Sequence, residues 1–215
     1  MAIVVESVGV SPGANTTTCV IVKPTGVAVG DLLIASMTYA QNSTPTISPP
    51  AGWSLIRKTS SVVDGSPTVH SFYKIATATE VSASDFTFTS SGSASNKGAM
   101  LRISGAVFGA YDTEAEATSS IITISPGSMS GHALYVLCGG SDAPDTWTNA
   151  AGLTEQTDSN TTAGNDTSLY MGTGASPTFT DLTRSSSTDG SVAHGFFIDA
   201  GATTTVKHLA LLGVG

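Results

Sequence analysis

Short β-branched or aromatic segments recur along the chain, separated by clusters of Gly, Pro, Ser, Asn and Asp, a texture that predicts many strands joined by turns. Apolar and polar residues alternate in Asp85-Phe86-Thr87-Phe88-Thr89, so a strand there turns both phenylalanines to one face and the threonines to the other. Met100-Leu101-Arg102-Ile103-Ser104 does the same around Leu101 and Ile103. Buried runs are expected at Asp31-Leu32-Leu33-Ile34-Ala35 and Ala133-Leu134-Tyr135-Val136-Leu137. The best helix candidate, Asp112-Thr113-Glu114-Ala115-Glu116-Ala117, has no apolar stripe to dock and reads as a connector. The fold class is all-β.

The same sequence of elements occurs twice. Gly30-Asp31-Leu32-Leu33-Ile34-Ala35 is matched by Gly131-His132-Ala133-Leu134-Tyr135-Val136, and Ala51-Gly52-Trp53 by Ala151-Gly152-Leu153. Ser71-Phe72-Tyr73 is matched by Ser168-Leu169-Tyr170, and Ser104-Gly105-Ala106 by Ala200-Gly201-Ala202. Each copy then holds about six strands, including a Phe/Thr strand at Asp85 to Thr89 and a counterpart at Pro177 to Thr180. The predicted architecture is a jelly-roll-like β-sandwich built from two degenerate repeats of about 100 residues. Residues 1–108 form the first repeat, 109–118 a connector and 119–215 the second. Two tandem sandwiches or one merged sandwich both fit, and the single sandwich is favoured because each copy has edges that its twin could cover.

Charge narrows the partners. Only 11% of residues are charged and the net charge is −8, whereas nucleic-acid binding depends on clustered cations that displace counterions. Nucleic acid and acidic membranes are therefore poor partners. No apolar run approaches the roughly 20 residues of a membrane-spanning helix, and "MAIVVESVGV" lacks the basic region of a signal peptide. Cytoplasmic synthesis is the expectation. Cys19 and Cys138 are isolated and flanked by strand formers, which predicts buried free thiols, although a disulfide between them is open on sequence alone.

The sequence contains no phosphate-binding glycine loop and no H-E-x-x-H zinc helix, so neither an enzyme nor a cofactor is expected. His70, His132, His194 and His208 fall at positions that do not correspond between the copies and read as surface or strand residues. Asp142 and Asp145, with Asp158 and Asp166, form a loop-borne acidic group whose spacing fits no calcium pattern. Asn15, Asn42, Asn160 and Asn165 each open an N-x-[ST] triplet and read as turn residues. Trp53 follows a glycine turn and shares a face with Leu55, which argues for core. Trp147 stands in a polar segment and is the ligand or interface candidate, with Asp142 and Asp145 beside it. Gly52, Gly152, Tyr73 and Tyr170 are assigned structural roles.

These residues resemble a group of phage and bacterial virion-associated β-sandwich proteins. The shared pattern comprises Gly30 to Ala35 (G-D-L-L-I-A), Pro49 to Arg57 (P-P-A-G-W-x-L-I-R), Tyr73 to Glu80, Phe86 to Thr89 (F-T-F-T) and Arg102 to Gly105. The first copy matches it well. The second lacks the tryptophan and the Lys and Glu of the Tyr strand. The resemblance implies a virion structural protein with no common catalytic residues, made in the host cytoplasm. It implies a capsid decoration or cement protein, or a tail or fibre component. Partners would be the major capsid protein and further copies of the chain, with a trimer as the guess; the alternative is a carbohydrate-binding or adhesion module. The tail His208 to Gly215 and the N-terminal Ala2-Ile3-Val4-Val5 are expected to lie in an inter-subunit contact or to pair as end strands.

Overall fold

A computed structural model describes residues 3–40, 45–61, 66–164, 166–178, 181–185 and 189–201. The chain is an all-β sandwich protein with antiparallel sheets. The first half contributes β1 (Val4–Val10), β2 (Ala14–Val22), β3 (Leu32–Ala40), β4 (Ile47–Ser48), β5 (Ser54–Ser60), β6 (Thr68–Ile75), α1 (Ala78–Ser82) and β7 (Asp85–Ser104). The second contributes β8 (Ala106–Ala117), β9 (Ile121–Thr123), β10 (Leu134–Ser141), β11 (Trp147–Thr148), β12 (Thr154–Thr161), β13 (Thr167–Gly174), β14 (Asp181–Arg184) and β15 (Ser191–Ala200).

Two large sheets run β1-β7-β3-β6-β5 and β8-β15-β10-β13-β12, one strand order used twice. Each carries a small sheet: β2 and β4 flank the first part of β7, and β9 and β11 flank β14. β7 serves both layers because its ladder to β2 breaks between Thr16 and Thr18, a bulge that lets a strand turn a sandwich corner. In the second half two strands, β14 and β15, do that work.

Three cores follow. One lies within the first half around Tyr39, Trp53, Phe72, Phe86 and Phe88. Another lies within the second half around Tyr135, Trp147, Tyr170 and Leu182. The third mixes Leu32, Ile34 and Leu101 with Val136, Met171 and Phe196, so the two large sheets pack face to face. The layers therefore run small, large, large, small. Cys19 and Cys138 are buried free thiols in different cores.

Several expectations need correction. Residues 109–118 are not a free connector, because Ala106 to Ala117 forms the edge strand β8 against β15. The helix lies elsewhere, at α1, whose Thr77 and Glu80 form a capping box. That signature is legible as T-x-x-E. The strand expected at Pro177 to Thr180 runs instead over Asp181–Arg184, while residues 179 and 180 lie outside the described residues. The match of Tyr73 to Tyr170 is out of register by three. Leu55 faces Phe72 across β5 and β6, and Glu155 faces Gly172 across β12 and β13, each just before a bulge. Tyr170 therefore stands where His70 stands, and an odd slip sends a side chain to the opposite face. Tyr73 packs toward the central core, stacked on Phe108, and Tyr170 lies in the second half's own core.

Gly52 and Gly152 adopt φ of +80° and +81°, and each turn closes with Trp53 N donating to Pro50 O or Leu153 N to Ala150 O. An alanine at either position incurs the left-handed penalty of about 1–2 kcal/mol. At Gly52 the new Cβ meets only the end of the Lys74 side chain, whereas at Gly152 it meets backbone at Pro177 and Thr178, 3.1 Å away. Thermal unfolding should show Gly152→Ala as the costlier change.

Candidate functional site

The charged residues of the family-like pattern act inside the molecule. Asp31 Oδ2 accepts from Ala28 N at 2.8 Å and from Arg102 Nε at 2.6 Å, tying the G-D turn to the R-I-S-G strand. Lys74 Nζ reaches Glu80 Oε1 at 2.6 Å and Ala51 O at 2.8 Å, fastening β6 to α1 and to the turn before Trp53. Burial pushes Glu80 up, but Lys74 and the hydroxyl and amide of Thr77 outweigh it and hold the carboxyl at about 2. Arg57 pairs with Glu114 of the other half and lies 4.8 Å from the centroid of the Tyr111 ring.

That last pair closes a polar seam between the two large sheets. Glu114 Oε2 accepts from Thr59 Oγ1 at 2.8 Å, and Thr59 Oγ1 lies 3.0 Å from His194 Nδ1. His194 Nε2 is 2.7 Å from Ser71 Oγ, which is 2.9 Å from Ser36 Oγ. A carboxylate accepts only, so the Thr59 hydroxyl donates to Glu114 and accepts from Nδ1–H. Nε2 is then the acceptor, and Ser71 donates to it. A groove of about 440 Å³ runs over this seam, lined by Arg57 to Ser60 of β5 and Glu114 to Glu116 of β8.

A serine hydroxyl donating to a histidine is half of a nucleophilic triad. Here the pair is sealed: His194 and Ser71 are both 0% exposed. Ser71 faces a second serine, and the residue on Nδ1 is a threonine. The arrangement locks the halves in register and offers no reacting atom to a substrate in the groove. Gly9-Val10-Ser11-Pro12-Gly13 has the spacing of a nucleophile elbow, but it links two strands, and Ser11 Oγ accepts from Gly98 N at 2.8 Å.

Burial lowers His194 to about 3, with Arg57 opposing protonation and Glu114 favouring it less strongly; burial likewise lowers His70 to about 3. The unfolded chain takes up these protons near the ordinary histidine value, while the fold resists them until about pH 3. Stability is therefore full above about pH 6.5 and falls as pH drops from there toward 3. In His194→Asn the slope of unfolding free energy against pH, read from urea titrations at stepped pH, should fall by one proton, about 1.4 kcal/mol per pH unit.

The candidates chosen from sequence are not surface groups. Trp147 is 5% exposed, its Nε1 donating to Ser168 Oγ at 3.1 Å, so it presents no stacking face. Asp145 is buried with Arg184, which donates from Nη1 at 2.7 Å, while Ser141 and Ser185 donate to the same carboxylate. Burial pushes Asp145 up, and these donors outweigh it and hold it below the usual range. Asp142 is half-buried and pushed up to about 6 by burial and by the neighbouring charge of Asp189. No three His, Cys, Asp or Glu side chains converge to hold a metal among the described residues. Asn15 and Asn160 lie on strands β2 and β12, not in turns. Asn42, Asn165, His208, Ala2 and the apolar tail lie outside the described residues.

What the fold and seam define is a double β-sandwich whose buried polar groups hold its own layers together. Comparison with family models, with curated proteins and with solved structures returns no match to this chain.

Proposed function

We propose that the chain is a structural protein of a bacteriophage particle, a capsid decoration protein that binds the assembled shell through sheet faces. One observation carries this reading. The outer faces of the two small sheets, at opposite ends of the layer stack, are nearly uncharged. Val20, Val22, Thr87, Thr89 and Ser48 are exposed on one, with Asp85 the sole charge; Ile121, Thr123 and Thr148 are exposed on the other, with Asp181 the sole charge. Such faces lose little hydration when covered. The sequence resemblance supports the phage setting, and the common strand order supports reading the halves as copies of one unit. Partners on this reading are the major capsid protein and further copies of the chain. The glycan-binding alternative loses the platform it relied on, since Trp147 is core.

The test adds purified protein to shells of the encoding phage that lack it. Saturable binding and a raised shell disruption temperature are expected, and Thr87→Lys combined with Val22→Lys should reduce occupancy at least tenfold without altering the protein's own melting. Absence of the chain from purified virions by mass spectrometry would refute the proposal.

A further inference from the structure

The common strand order provides an internal control on every position, and one pair of equivalent places differs in kind. In the second half, the gap between the small sheet's β11 and the large sheet's edge strand β12 is plugged by Trp147. Its Nε1 donates to Ser168, and Tyr170 OH beside it donates to Asn149 Oδ1 at 2.7 Å, so both polar tips are satisfied. In the first half Ile47 occupies the position of Trp147: each is the first residue of the two-residue strand, paired with Ser90 and Arg184 respectively. The smaller side chain leaves a cavity of about 290 Å³ lined by Ile47, Pro49, Trp53, Leu55, His70 and Phe72. Trp53 and His70 are 7% and 2% exposed, and Trp53 Nε1 and His70 Nε2 are buried with no hydrogen-bond partner.

An apolar chamber of roughly 150 Å³ suffices to hold benzene, so this one has room for a substituted ring. Purely apolar contents would leave two nitrogens desolvated and unpaired, at roughly 1–3 kcal/mol each. The indole N–H can only donate, so the guest must bring an acceptor. Neutral imidazole Nε2 accepts or donates according to tautomer, and a hydroxyl serves either way. The aromatic walls, Trp53 and Phe72, suit a ring. We propose that the mouth of the first sandwich, between β4 and β5, is a binding site for a phenolic ring, either a free small phenol or a tyrosine side chain presented by a partner.

The two tryptophans make the test internal. In ¹⁵N-labelled protein, p-cresol should shift the Trp53 indole N–H signal saturably and leave that of Trp147 in place. Toluene, of the same shape without the hydroxyl, should bind at least tenfold more weakly, because a site with polar groups to satisfy discriminates strongly against a guest that cannot satisfy them. Trp53→Phe identifies the signal by its loss and should bring p-cresol and toluene to similar affinity, read from ring-proton shifts of the ligands. Ile47→Trp, which imitates the plug of the second half, should abolish binding; if it melts early, Trp53→Phe carries the test alone. N-acetyl-tyrosine amide separates the sources: shifts equal to those of p-cresol identify a tyrosine side chain, and none at all identifies a free phenol. Equal affinity for toluene and p-cresol in the unaltered protein, or no Trp53 shift with p-cresol, would overturn the proposal.

Discussion

Arg184→Met is expected to destabilise the protein by about 3–5 kcal/mol, the range for removing one partner of a buried ion pair. Arg184 and Asp145 side chains are 0% and 1% exposed, and the guanidinium also donates to Ser141 Oγ and to Asp189 O. Methionine fills similar volume, so the loss isolates the charge left behind. Two serine hydroxyls still reach Asp145 and cannot neutralise it. In the native protein the depressed Asp145 adds stability above the ordinary carboxylate range, lost as pH falls through its folded value. In the variant the stranded carboxylate prefers its proton, so the gap from wild type in urea unfolding should narrow as pH falls below about 5. Adding Asp145→Leu should recover most of the loss, since a hydrophobic replacement of a buried pair is often neutral. A loss below 1 kcal/mol for the single variant would show that the pair is hydrated and not buried.

Trp53→Ala should cost about 3–5 kcal/mol, as large aromatic truncations in cores do. Its ring lies edge-on to Phe86 and Phe88, 5.5 Å between centroids in each case, and closes the first half's own core. Trp53→Leu, which imitates Leu153 at the equivalent turn, should cost less because leucine refills part of the space. A chemical unfolding series comparing the two decides between packing and surface display. Unchanged stability in Trp53→Ala would place the ring outside the core. Leu55, expected to share that core, is 55% exposed at its margin.

The strands around Phe86, Leu101 and Leu32 were readable because period-two alternation and continuous apolar runs are local properties of a pleated strand. The Gly52 and Gly152 turns were readable for a similar reason, as a positive φ is a local demand that glycine meets. Strand β8 was not. Its Glu and Ala residues have low strand propensity, and it is held by pairing with β15, whose Phe196 lies 85 residues from its partner Tyr111. Propensity yields to such pairing. The three-residue slip between Tyr73 and Tyr170 was hidden because similar short motifs occur on both faces of a strand.

Trp147 and Asp145 show the same limit for the site. Polar neighbours in sequence made both look exposed, yet Ser168 and Arg184, which satisfy them, arrive from β13 and β14. His194 was unremarkable in sequence because Thr59, Ser71 and Glu114 come from three other strands, two of them in the other half. The sequence by itself determined that this protein is all-β, where most of its strands lie and how its glycine turns close, since these depend on residues within a few positions of one another. The tertiary structure alone decided that two sandwiches share a third core, which polar groups are sealed within it, and that one sandwich mouth is plugged and the other open. Those features depend on pairings across many tens of residues, where a side chain's surroundings are set by register and sheet order.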